Sequence, residues 1–240
     1  MDSGPRLTPA HRHARGQLIA TLGGLITIGT ALGRWVVPAT NAVWIPPHAL
    51  HGAQTHGAFE GWSLYVAEAA CAGLPAEPRV LRMNGLLREA LGRSLEWSDA
   101  QLTDRESRLA AVILDEIAGA PVESLTLVTP ADGRLKRLVA ALLADLASPL
   151  GMAEWARQFG LAPRTLSRRF VLETGLPFTE WRQRARLLRG LELLAAGRSV
   201  THVALDLGYG TVSAYIALFR RHFGTTPARY AAGGTAHDRG

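Results

Sequence analysis

Cysteine is all but missing from the 240 residues: Cys71 stands alone, so no disulfide can form within the chain. That excludes the disulfide-stapled small scaffolds and fits a reducing, cytoplasmic setting. Lysine is equally scarce, Lys136 being the single one. Positive charge therefore rests on arginine, whose planar fork matches phosphate oxygens and the guanine edge. No apolar run approaches the roughly 18–20 residues that a membrane helix needs, so no membrane partner is expected. The amino-terminal residues lack a basic stretch followed by an apolar one, so no signal peptide is read there.

What is present is a large apolar fraction, 48%, enough for a substantial core. Charge is divided unevenly. Residues 1–131 carry 10 Arg against 12 Asp and Glu, whereas residues 132–240 carry 16 Lys and Arg against 8 acids. A near-neutral half joined to a strongly basic half predicts that only the second meets a polyanion.

The two halves also differ in pattern. Short β-branched and aromatic segments (Gln17–Thr21, Leu25–Thr30, Trp35–Val37, Ala42–Ile45 and Trp62–Val66) are punctuated by Gly23-Gly24, Gly33, Pro38, Pro46-Pro47, Gly52 and Gly61. Such spacing predicts an antiparallel sandwich or barrel. Trp35, Trp44, Trp62 and Tyr65 are read as its core. From Pro78 the spacing turns helical through Val80-Leu81, Leu86-Leu87 and Leu91, and a second helix is expected over Arg105–Ala118. Pro121–Pro130 reads as an extended linker. After Gly133 about seven helices are expected, separated by short turns, with a disordered tail.

The strongest signal is an internal repeat. AEWARQFGLAPRTLSRRFVLETG, residues 153–175, parallels THVALDLGYGTVSAYIALFRRHFG, residues 201–224. Ala156 and Gly160 match Ala204 and Gly208, and Leu166 and Phe170 match Tyr215 and Phe219. A small alanine lets a second helix cross the first closely, and glycine permits the positive φ that ends a helix. The pairs at i, i+4 pack inward, leaving the opposite face of each second helix free for a major groove. These are two helix-turn-helix units. Pro163 suits the first turn of its helix. Between the copies, Phe178–Ala196 reads as one helix, on the order of 28 Å long, bracing the two units. Its Arg182, Arg184, Arg186 and Arg189 are read mainly as a solvated face.

On these residues, and above all on GYGTVSAYIALFRRHFGTTPARY, the chain resembles the AraC/XylS family of bacterial transcription activators. The resemblance covers about residues 134–232. It implies double-stranded DNA as partner, base-facing positions Arg164, Thr165, Ser167 and Arg168 in the first unit, and Ser213, Ala214, Ile216 and Ala217 in the second. Short side chains in the second unit favour backbone anchoring, with Thr211, Arg220, Arg221 and His222 as phosphate contacts; Arg169 joins the DNA-binding set. HRHARGQ and GRWVVPATNAVWIPPHALHGA resemble the small cupin-type sensor domain of the same family. The resemblance thus implies an α+β fold: a cupin-like barrel over 1–75, a helical connector serving a homodimer over 76–131, the DNA-binding domain over 132–232 and a tail over 233–240. An effector and contact with RNA polymerase are implied too.

His11, His13 and Gln17 lie at even spacings and would project from one strand face. With His51 after PPHAL they resemble the cupin metal set, with Gln17 where many cupins carry Glu. Three imidazoles and an amide oxygen suit one divalent transition metal: Zn, Ni, Co, Mn or Fe. The same residues could instead line an organic effector pocket. His48 and His56 are further candidates. Two other functions stay open: a metal-dependent cupin enzyme, disfavoured because no general base is positioned beside the histidines, and a nonspecific DNA-compacting protein, disfavoured by the near-neutral first half.

Overall fold

The computed structural model describes residues 6–97, 101–123 and 125–232. The tail expected at 233–240 lies outside these. An antiparallel sheet occupies the first half and helices the second, which gives the mixed α/β architecture read from the pattern. The sheet comprises β1 (Leu7–His11), β2 (Gly16–Thr30), β3 (Gly33–Pro38), β4 (Asn41–Ile45), β5 (His51–Val66), β6 (Arg79–Arg82) and β7 (Thr126–Val128). Its main path runs β1-β5-β2-β3-β7, with β4 bridging β2 and β6.

β2 is one strand rather than the two expected. Gly23-Gly24 marks a shift in register against β5, between Thr21 and Leu25, instead of a reversing turn. A glycine inside a strand commonly marks such a bulge. The bulge lets one strand serve two partners on the same side: Gln17–Ala20 pair with β4, and Leu25–Gly29 pair with β3. β5 follows β2 from Val66 down to His51, so its first part, unread in the sequence, is sheet as well.

Two further expectations are corrected. Val80-Leu81 does not begin a helix; it lies in β6, paired with Ala42 and Val43. The segment read as an extended linker holds β7, paired with Gly33–Trp35. Both are short apolar stretches whose strand character depends on a distant partner edge, which periodicity cannot reveal. Helices α1 (Gly85–Ser94) and α2 (Asp104–Gly119) are therefore inserted between two strands of the sheet. Leu87, Leu91, Ile113 and Ile117 bury against Leu18, Ala20 and Trp44 on one sheet face. The alternate residues Ile19, Ile26 and Ile28 face the other way, in a core continuous with that of the helical half.

The helical half contains α3 (Gly133–Ala144), α4 (Met152–Gln158), α5 (Pro163–Thr174), α6 (Phe178–Ala195), α7 (Val200–Asp206), α8 (Val212–Phe223) and α9 (Pro227–Ala231). Asp132 caps α3, Ser199 caps α7 and Thr211 caps α8, each accepting from backbone N–H groups that would otherwise be orphaned. None of the helices among the described residues is long and apolar enough to cross a membrane.

Candidate functional site

Two places gather the residues singled out by the sequence. The first is the outer face of the repeated helix pairs. Ala156, Leu166 and Phe170, and likewise Ala204, Tyr215 and Phe219, are wholly buried. Gly160 and Gly208 end α4 and α7 at φ 63° and 74°, the left-handed region that glycine adopts without strain. At Gly208 a Cβ would also lie 2.6 Å from the Ala147 carbonyl oxygen. The two units are thus built alike from the inside.

With those side chains inward, the opposite faces turn outward. On α5, Arg164, Ser167 and Arg168 are exposed and Thr165 is half-buried. On α8, Thr211, Ser213, Ala214, Ala217, Arg220, Arg221 and His222 are exposed and Ile216 is half-buried. Ser213, Ile216, Ala217, Arg220 and Arg221 line one shallow concavity. The Thr211 hydroxyl accepts from Ala214 N at 3.2 Å, so it holds the helix start. Partial desolvation, with Arg221 and Arg184 close by, pushes the His222 imidazole pKa down although the residue is exposed.

Several arginines serve the fold instead. Arg169 is committed to Asp132 at 2.7 Å and Glu173 at 3.4 Å, stapling α3 to α5. The helix α6, read as carrying a solvated arginine face, uses three of its four arginines internally. Arg182 donates to the Leu150 carbonyl at 2.7 Å and to the Ser148 carbonyl. Arg186 donates to Leu146 at 2.8 Å, and Arg189 to Glu192 at 2.9 Å. The carbonyls after α3 have no helical partner and need these donors. Sequence spacing gives no sign of the Arg182 and Arg186 contacts, because their acceptors are backbone atoms of a loop.

The second place is a histidine cluster at one end of β1, β2 and β5. His11 is exposed, His13 half-buried and His51 buried, and their ligand-capable nitrogens lie within 4.8 Å of one another. Nδ1 of each ring faces a backbone carbonyl: Pro9 at 2.9 Å for His11, Arg15 at 2.6 Å for His13, Ala49 at 2.8 Å for His51. A carbonyl oxygen only accepts, so each Nδ1 carries a proton, and in a neutral ring Nε2 is then the nitrogen that can bind an ion. Burial, with His11 and His13 close by, pushes the His51 pKa down.

Gln17 joins the cluster. Its Nε2 donates to Ser63 Oγ and Tyr65 OH, both at 3.1 Å, which turns Oε1 toward the imidazoles. Oε1 lies 3.2 Å from His13 Nε2 and 3.2 Å from His51 Nε2. Three imidazole nitrogens and the Gln17 amide thus gather at one point, a donor set of the kind that could hold a metal ion. Ser63 and Tyr65 escaped the sequence reading, which placed Tyr65 in the core; it is 50% exposed. The available signal was the register, in which Gln17 pairs with Tyr65. The other two candidates lie elsewhere. His48 is exposed beside Glu68, and His56 is buried against Thr27.

Comparison with known proteins adds the following. A helix-turn-helix domain family matches residues 155–233. The chain is 33% identical over 229 residues to the HTH-type transcriptional regulator NimR of Escherichia coli, covering 94% of this chain and 82% of that protein. It is 34% identical over 104 residues to the HTH-type transcriptional regulator RipA of Corynebacterium glutamicum, covering 43% of this chain and 31% of that protein. Among solved structures, the DNA-binding domain of AdpA in complex with a target DNA is 31% identical over 42% of this chain and 93% of that one, with a TM-score of 0.41. ToxT from Vibrio cholerae is 10% identical over 96% of this chain and 94% of that one, with a TM-score of 0.43.

Proposed function

Since the chain belongs to the AraC family of helix-turn-helix transcription regulators, we propose that it binds one duplex through α5 and α8 and that its sheet half senses an effector. The observation that carries the DNA reading is the pair of matched outward faces. Arg164 and Arg168 are both exposed at i, i+4 on α5 and can both reach a base edge, with guanine the natural target. Ser213, Ala214 and Ala217 on α8 are short, and Arg220 and Arg221 stand beside them. The first unit accordingly supplies most of the base readout. The second supplies phosphate contacts, with apolar contact to thymine methyls from its alanines. At 18 residues α6 spans about 27 Å, which suits a brace between units reading neighbouring major-groove turns.

The sheet half is read as a cupin-like barrel whose His11, His13, His51 and Gln17 hold one divalent transition ion. The three Nδ1–H donors to backbone carbonyls support it, because metal-bound imidazoles are oriented in that way. Such an ion would supply a positive centre to which an acidic or carbonyl-bearing effector can bind. Tyr65 orients Gln17 and borders the site. The outer sides of α1 and α2 expose Leu86 and Val112, the surface read as the homodimer contact. Contact with RNA polymerase would follow from an activating role.

Genome-wide mapping of bound sites tests this reading. It should return discrete sites sharing a sequence pattern, and the neighbouring genes would identify the effector. Uniform coverage without a shared pattern would instead support nonspecific compaction.

A further inference from the structure

Gln17 of β2 is buried, 6% exposed, and its amide lies between partners of two kinds. A buried amide needs its hydrogen bonds made, two donated by the nitrogen and up to two accepted by the oxygen. On one side stand Nε2 of His13 and Nε2 of His51, each 3.2 Å away. On the other stand Ser63 Oγ and Tyr65 OH of β5, each 3.1 Å away. Neither hydroxyl has another hydrogen-bond partner among the described residues.

The two sides differ in what they can do. A hydroxyl donates or accepts as it rotates, so Ser63 and Tyr65 satisfy either end of the amide. A neutral imidazole with its proton on Nδ1 can only accept at Nε2. With an ion held by the rings, Oε1 faces them and the amide nitrogen donates to the two hydroxyls, which is the orientation seen here. Without an ion, that orientation sets three acceptors against one another: Oε1, His13 Nε2 and His51 Nε2.

Turning the amide over removes the conflict. Its nitrogen then donates one hydrogen to His13 and the other to His51, and Oε1 accepts from both hydroxyls. The oxygen and nitrogen ends of an amide are nearly the same size, so no neighbour has to move. The 3.2 Å spacing serves both states. It is within hydrogen-bond range, and two ligands about 2.1 Å from one ion stand roughly 3.0–3.4 Å apart.

We propose that Gln17 is a two-position switch, its amide giving nitrogen to His13 and His51 in the ion-free protein and oxygen to a bound divalent ion, so that the ion is an exchangeable ligand of the cluster and not a permanently held cofactor. This rests on the metal reading of the cluster. Glutamate could not replace it, because a carboxylate has no hydrogen to give the imidazoles and stays poised for a cation. Gln17 also adds no charge, and the three-histidine group contains no carboxylate or thiolate among the described residues. A satisfied ion-free state competes with the ion and lowers its apparent affinity, which is what release requires.

Nuclear magnetic resonance of the full chain, with its glutamines labelled with 15N, tests this in metal-stripped protein before and after one equivalent of zinc. Absence from Gln17→Glu identifies the Gln17 signal. Without zinc, the strongest nuclear Overhauser contacts of the Gln17 amide hydrogens should be to the rings of His13 and His51. With zinc, they should be to the ring of Tyr65. In competition with a chelator, Gln17→Glu should hold zinc about tenfold more tightly than the wild type or better. Gln158→Glu, which makes the same change of charge on α4, should leave zinc affinity unchanged. Circular dichroism and thermal melts confirm that the variants are folded. Zinc bound at about one equivalent with unchanged amide contacts, or held no more tightly by Gln17→Glu, overturns the switch and leaves the metal reading standing. Failure of the wild type to bind zinc overturns both.

Discussion

A single proton or hydroxyl decides two features of this protein. In the histidine cluster, three rings spend their Nδ1–H on backbone carbonyls, so in the neutral form Nε2 is the nitrogen available to an ion. Protein purified without a His-tag or chelating column should therefore hold about one equivalent of a divalent transition metal, lost in His13→Ala and His51→Ala. Substoichiometric metal in the wild type, unchanged by both substitutions, would end that reading. The Tyr215 hydroxyl is buried without a hydrogen-bond partner among the described residues, close enough to Gly190 that a Cβ there would lie 2.6 Å from it. A desolvated, unpaired hydroxyl costs free energy that the aromatic ring does not need. Tyr215→Phe should raise stability by about 1 kcal/mol, read as a higher melting temperature; a clear loss would show that the hydroxyl has a partner.

Among the elements, the two helix pairs share a plan but not the same strain. Gly160 and Gly208 both take positive φ, yet nothing lies within 4 Å of a Cβ at Gly160, whereas the Ala147 backbone crowds Gly208. Gly160→Ala should cost about 1–2 kcal/mol from conformation alone, and Gly208→Ala more, because the Ala147 loop must also move. Equal melting temperatures for the two variants would contradict that packing. The repeat itself was legible because each matched position answers to a local rule: small residue at a crossing, glycine at a helix end, i, i+4 pair inward. α2 and α6 were legible from their long apolar periods. β6 and β7 were not, since a strand of three or four residues is defined by the edge it joins. Gly23-Gly24 misled for a related reason, since the same residues make a turn or a bulge depending on what pairs beyond them. At the site, His11, His13, Gln17 and His51 could be gathered from spacing and resemblance. Ser63 and Tyr65 could not, because their roles arise from register across β2 and β5.

The whole molecule separates its tasks by charge and by layer. Basic surplus is confined to residues 132–240, where the exposed arginines of α5 and α8 face outward, Arg169 ties α5 to the start of α3, and Arg182 and Arg186 hold the loop after α3 against α6. The sheet half contributes no positive surplus, so it adds little to DNA attraction and is free for sensing. The central claim is that α5 reads bases rather than merely gripping phosphate. The most direct measurement compares affinity for a mapped binding site with affinity for a scrambled duplex, at one fixed salt concentration, in wild type, Arg164→Ala and Arg168→Ala. Each substitution should reduce that discrimination by roughly 1–3 kcal/mol while leaving affinity for the scrambled duplex nearly unchanged. Discrimination equal to that of the wild type in both variants would contradict the account.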